Sequence, residues 1–281
     1  MLARMRLHLT LAACLFSGLL SCHGEDAAPA GSGELVIVGG RAIRLPAPGG
    51  FERIDGLNID DDRAVAAMLP ATNRYLARYN PPKAQTAADQ GRSFNAQVLR
   101  DVESREIGNR TFSQMKQQTK SEIDKAQETL REELAKVTGK DAKNLPNSTV
   151  ADALSVSEVA VLGLFNETPS SLGFTMAMNV AKKADDPTNK TKAVIASMIV
   201  PVNGRLIYLY ANADFKSEAD RKWAEQAVTM WRDAVLAVNP RVEGPDVSSS
   251  IFDGVGSSTV IAGIVGGLAA VIVLLFKRKK A

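Results

Sequence analysis

Histidine and cysteine do most of the proton transfer, thiol chemistry and metal ligation in proteins. Here they occur twice each in 281 residues, and His8, Cys14, Cys22 and His23 all precede Gly24. The rest of the chain therefore lacks the usual general base, thiol nucleophiles, thiolate or imidazole metal ligands, and structural disulfides. Two other patterns could carry chemistry. Ser113-Gln114-Met115-Lys116 has the SxxK spacing in which a lysine activates a serine. Its companion motifs are missing: there is no Ser-Asp-Asn, and Lys190-Thr191-Lys192 lacks the glycine of Lys-Thr-Gly. Asn58-Ile59-Asp60-Asp61-Asp62 gathers oxygen ligands suited to calcium, but no glycine turn or distal bidentate glutamate follows. Helix capping accounts better for those acids. The expectation is a chain with no catalytic, cofactor-binding or metal-binding residues. A hydrolase or transferase built from carboxylates, lysine or serine is the alternative.

Cys22 has a different chemistry open to it. Arg4 and Arg6 precede an apolar stretch, Leu7 to Leu20, too short to span a bilayer, so residues 1–22 read as an export signal. Leu19-Leu20-Ser21-Cys22 resembles a bacterial lipobox, in which the cysteine is lipidated and becomes the first residue. Ordinary cleavage after Ala28-Pro29-Ala30 is the other route.

At the far end, residues 260–276 contain no charged or polar side chain, and with Ser257 to Thr259 they reach about 20 residues, enough to cross a ~30 Å hydrocarbon layer. Lys277-Arg278-Lys279-Lys280 follows at once. Cations stay on the cytoplasmic side, so the tail (277–281) is expected inside and the domain outside, periplasmic or extracellular. Ala262, Gly266 and Ala270 recur every four residues beside Gly263 and Gly267, a GxxxG pair that lets two helices approach closely in lipid. The expected partners are thus the lipid bilayer, an envelope protein still to be identified, and a second copy through this helix.

Nucleic acid is not expected. Setting aside Arg4, Arg6 and the four terminal cations leaves 28 of the 34 basic residues against 31 acidic ones, which is no basic footprint. With 45% hydrophobic and 23% charged residues, the chain is neither disordered nor polytopic.

Between the ends, residues 23–33 and 240–259 are Gly-, Ser- and Pro-bearing linkers around a domain at 34–239. Leu35–Val38 and Ala42–Leu45 form a hairpin around Gly39-Gly40. A short helix covers Arg63–Leu69, and strands cover Asn73–Asn80 and Arg92–Glu103. Thr111–Thr138 is the strongest helix, with Thr111 and Gln114 as a capping box and Gly139 as the stop. Its apolar row runs through Phe112, Met115, Thr119, Ile123, Ala126, Leu130, Leu134 and Val137, one straight stripe. Strands follow at Val156–Phe165 and Leu172–Val180. The second alternates large and small residues, as in a sheet with one buried face. Val194–Val202 and Leu206–Ala211 flank Asn203-Gly204, a strong hairpin signal, and should be central. Ser217–Val238 is the last helix, with Asp220 completing its cap and Trp223 and Trp231 on its apolar row.

Arg44-Leu-Pro-Ala-Pro-Gly-Gly-Phe51, Thr72-Asn-Arg-Tyr-Leu76 and Pro201 to Tyr210 together resemble a loose set of uncharacterised exported, membrane-anchored bacterial proteins. In architecture the hairpin followed by a helix is similar to Mog1/PsbP-type α+β domains. The resemblance implies no active-site residues. The expected fold is α+β: an antiparallel sheet of about six to eight strands, two long helices packed on it, and one C-terminal transmembrane helix. The expected function is a membrane-tethered extracytoplasmic module that binds a protein or envelope component. A ligand sensor signalling through a dimerising membrane helix is a further alternative.

Overall fold

The computed structural model describes residues 33–239, apart from 67, 68, 70, 84–88, 90, 140, 142–148, 184 and 185. The expected leader with Cys22, and the expected membrane segment with Ala262, Gly263, Gly266, Gly267 and Ala270, lie outside the described residues. Among the described residues no helix is long and apolar enough to cross a membrane.

The chain opens with a separate hairpin, β1 (Glu34–Val38) and β2 (Arg41–Leu45). Gly39 and Gly40 turn it with φ of 51° and 78°, a conformation that side chains with a Cβ adopt poorly. Seven further strands form one antiparallel sheet. They are β3 (Glu52–Arg53), β4 (Asn73–Asn80), β5 (Arg92–Leu99), β6 (Val159–Thr168), β7 (Ser171–Lys183), β8 (Asp186–Val202) and β9 (Arg205–Asp214). Their spatial order is β3-β4-β5-β9-β8-β7-β6. The hairpin β8–β9 is central, as its apolar composition requires, and Asn203 (φ 47°) and Gly204 (φ 72°) make the expected type I′ turn.

Among the described residues four α-helices accompany the strands: α1 (Ile59–Ala66), α2 (Asn109–Thr138), α3 (Val150–Val156) and α4 (Glu218–Val238). The Asp220 carboxylate accepts the backbone N–H groups of Lys216 and Ser217 and so fixes the start of α4. Gly139, at φ 67°, ends α2 as expected. The start of α2 is corrected: Gly108 is its N-cap, and Thr111 lies buried inside the helix.

The sheet buries both faces, not one. On one face, Ala196, Met198, Ile207 and Leu209 pack with Ala224, Val228, Trp231 and Val235 of α4 and with Val38, Ile43 and Leu45 of the first hairpin. Trp231 stands edge-on to Tyr79 and Phe94, at 5.5 and 5.4 Å, and its indole N–H donates to the Pro46 carbonyl at 2.8 Å. On the other face, Phe112, Met115 and Ile123 of α2 join Phe174, Met176, Ile195 and Tyr208. Farther along α2, Leu130 and Leu134 belong to a third cluster with Val150 and Leu154 of α3, Leu162 and Ala177. Each fully buried side chain of this size contributes roughly 1.5–3 kcal/mol by leaving water. The small residues of β7 belong to the α4 face: Thr175 is fully buried there, and its hydroxyl donates to Glu225 of α4 at 2.6 Å.

Two more boundaries move. The strand expected over Arg92–Glu103 stops at Leu99, because the chain turns into a short 3-10 helix, Arg100–Val102. Val156, placed at the start of a strand by sequence, instead ends α3, whose first turn is capped by Thr149 and Asp152 in a true capping box.

Candidate functional site

Along β5, Phe94, Ala96 and Val98 join the α4-side core, so Asn95 and Gln97 point to the other face. Strand register then decides their neighbours. Asn95 sits opposite Arg78 on β4 and Tyr210 on β9, and Tyr210 sits opposite Ser197 on β8. Gln97 sits opposite Tyr75 and Tyr208. In-register side chains on one face stand about 5 Å apart at their Cβ atoms. The result is two polar rows crossing the middle of the sheet, Arg78–Asn95–Tyr210–Ser197 and Tyr75–Gln97–Tyr208.

All but Tyr75, which is half-buried, lie in the interior: Gln97 is 0% exposed, Tyr210 and Ser197 1%, Tyr208 2%, Asn95 3% and Arg78 4%. An amide relay runs through them. Asn73 Nδ2 donates to Gln97 Oε1 at 3.0 Å, and Gln97 Nε2 donates to Asn95 Oδ1 at 2.7 Å. It ends on Asn95 Nδ2, which has no acceptor among the described residues. Arg78 Nη2 is held by the Asp62 carboxylate of α1, while its Nη1 has no partner among the described residues. The hydroxyls of Tyr75, Tyr208, Tyr210 and Ser197 are likewise buried without one. The Arg78 guanidinium lies 5.9 Å from the centroid of the Tyr75 ring.

Burial pushes the Tyr75 hydroxyl far above its ordinary pKa, with Arg78 opposing. It does the same to Tyr208 and to Tyr210, and for Tyr210 its neighbours Tyr208 and Tyr75 add to the effect. All three phenols therefore stay protonated through the physiological range and can donate. The layer is donor-rich: one guanidinium nitrogen, one amide nitrogen and four hydroxyls face it. Its chemistry is to hold an acceptor, since no acid or nucleophile–base pair stands in the rows themselves.

A second polar cluster is structural. Glu106 binds Arg41 at 2.7 Å and the buried Arg205 at 2.8 Å. Arg205 also donates to the Gly39 carbonyl at 2.9 Å, and Glu103 pairs with Arg74 and accepts from the Gly39 N–H. This knot clamps the turns at Gly39-Gly40 and Asn203-Gly204 to the loop at 103–107. The Arg74 hydrogen bond, opposed by burial, leaves Glu103 below its ordinary pKa. For Glu106 burial acts upward, but the bonds from Arg41 and Arg205 outweigh it and the net shift is down.

The sequence motifs are taken up by packing. Lys116 of the SxxK pattern is buried, donates to the Thr168 carbonyl at 2.5 Å and lies over Phe112, while Ser113 is exposed. In the acidic run, Asn58 Oδ1 caps the Asp60 N–H at 3.0 Å, and Asp62 is spent on Arg78 and the Gly56 N–H. No cluster of potential metal ligands occurs among the described residues. Trp231 is a core anchor, and Trp223 is partly buried under the Arg92 guanidinium, 4.3 Å from its ring. The donor layer escaped sequence reasoning because its strands read as core. Alternation of Asn95 and Gln97 with Phe94, Ala96 and Val98 was the available signal.

No family model matches the chain, and no curated protein matches it. Solved structures similar to it include two of Mog1. A point mutant of the protein Mog1 aligns at 14% identity over 78% of this chain and 98% of its own, with a TM-score of 0.32. The Ran-binding protein Mog1p of Saccharomyces cerevisiae aligns at 13% identity over 73% and 95%, also at 0.32. The similarity to Mog1 is weak, and no residue role passes from it to this chain.

Proposed function

We propose that this chain is an exported module, tethered by the helix at 260–276, whose folded domain binds a protein of the cell envelope without catalysing a reaction. The observation that supports docking is the outer face of β1. Leu35 is 56% exposed and Ile37 59%, on the same side of one strand, while Val36 and Val38 pack inward. The strand is held firmly for that role: Glu34 pairs with Arg53, and the Ile37 carbonyl accepts from Arg74 at 3.0 Å. A rigid strand presenting paired apolar side chains gains by being covered.

The test places a photo-cross-linking residue at Leu35 in intact cells, with Lys222, exposed on α4, as the control position. A discrete adduct with one other envelope protein is expected from position 35 and not from 222. Equal labelling at both positions, or no adduct, refutes docking at β1. Protease added to spheroplasts should digest the domain and spare a C-terminal tag; a protected domain refutes the topology.

A further inference from the structure

The donor layer is independent of the β1 surface and has no part in it. Six polar atoms, Arg78 Nη1, Asn95 Nδ2, Ser197 Oγ and the hydroxyls of Tyr75, Tyr208 and Tyr210, belong to register neighbours in two adjacent rows and are buried with no partner among the described residues. A buried polar group left without a partner costs about 1–3 kcal/mol, so a ligand that bonds to these atoms would be stabilised there. We infer that this layer is a binding site for the carboxylate of a small organic acid.

Three features select that ligand. The free groups donate: a guanidinium nitrogen and an amide nitrogen can do nothing else, and the phenols, held protonated by burial, supply three further O–H donors. The amide relay has already consumed the Asn95 and Gln97 oxygens, which would otherwise repel an anion. The charge that acts on Tyr75 is the cation of Arg78. A guanidinium carries five N–H groups in a planar fork and can bind carboxylates on two of its edges, so Asp62 on Nη2 leaves Nη1 for a second.

The experiment uses the purified full-length protein in detergent, with acetate and its uncharged isostere acetamide as probes and sodium chloride at equal ionic strength as the reference. Acetate should raise the thermal midpoint above the chloride reference and alter the near-ultraviolet circular dichroism of tyrosine; acetamide should do neither. Hydrogen bonds to a charged group are strong, so Tyr210→Phe should weaken acetate binding about tenfold or more. It should not unfold the protein, because it removes a hydroxyl that has no partner. Should that variant nonetheless fail to fold, Ser197→Ala reads the same contact. Asp62→Asn should tighten acetate binding by removing the competing anion from the guanidinium. Equal effects of acetate and acetamide would overturn the assignment to a carboxylate. Acetate acting no more than chloride, or affinity unmoved by Tyr210→Phe, would overturn the site itself.

Discussion

Replacing Asn239 by alanine should loosen the end of α4 far more than its terminal position suggests. The side chain is 4% exposed. Its Oδ1 accepts the Arg44 N–H at 2.9 Å, and its Nδ2 donates to the Arg44 carbonyl at 2.8 Å and to the Val235 carbonyl at 2.7 Å. One amide thus completes the edge of β2 as a neighbouring strand would, while capping the last turn of the helix. Alanine removes three bonds, each with a net worth near 1 kcal/mol, and strands polar backbone groups of Arg44 and Val235, so a loss of about 2–4 kcal/mol follows. With an m-value near 2 kcal/mol per M, the urea midpoint should fall by about 1–2 M. Asn239→Asp sharpens the reasoning. A carboxylate keeps the bond from the Arg44 N–H but turns its second oxygen toward two carbonyls. It should destabilise at neutral pH and recover partly in acid, where the protonated group donates again. Equilibrium urea unfolding at two pH values measures both effects. An alanine variant within about 0.5 kcal/mol of the parent, the ordinary range for surface changes, would refute the pairing.

Gly39→Ala should destabilise clearly more than Gly40→Ala. Both residues have positive φ, but a Cβ at Gly39 runs into the backbone of Glu103 and Ser104, whereas one at Gly40 meets nothing; paired melting curves decide it. Stability should fall in acid through Glu103. Its folded pKa is depressed, so its contribution is full above the ordinary glutamate pKa and is lost as pH falls through the lower folded value; a Glu103→Gln variant should show a flatter acid limb in pH-dependent unfolding. Gly204→Val should lower the melting temperature, since a β-branched residue tolerates φ of 72° poorly. In the proposed membrane segment, Gly263→Leu with Gly267→Leu should weaken self-association in a membrane reporter assay, and an unchanged signal would refute the small-residue pairing.

What the sequence made legible was punctuation. Gly39-Gly40, Asn203-Gly204, Gly139 and the Asp220 cap each rest on a local rule that tertiary context did not override. Thr111 failed as a cap because the preceding segment is fixed from outside. The Ile107 N–H is bound to the Gly204 carbonyl at 2.9 Å, which starts the helix two residues earlier and carries Thr111 into the interior. The sheet's second buried face was hidden by residue size. Gly173, Thr175 and Ala177 read as the quiet side of an amphipathic strand, yet small side chains are what let a helix approach closely. The donor layer was the least visible. Its tyrosines, asparagine and glutamine lie on three strands that meet only through register, and no one-dimensional pattern records that Asn95 faces Tyr210.

The bond between Asn239 and Arg44 has a mechanical consequence. Arg44 pairs with Leu35 across the first hairpin, so the point where the chain enters the fold and the point where it leaves are separated by the single strand β2, with neighbouring strands about 5 Å apart. If the chain is tethered as proposed, the flanking segments 23–33 and 240–259 would therefore both attach at one pole. A domain slung that way is a pendant. Tension between the two tethers would act on the Asn239–Arg44 and β1–β2 pairings and leave the seven-stranded sheet unloaded. The same closeness makes the domain suited to circular permutation: a short bridge from 239 to 34, with new ends opened elsewhere, should preserve the sheet.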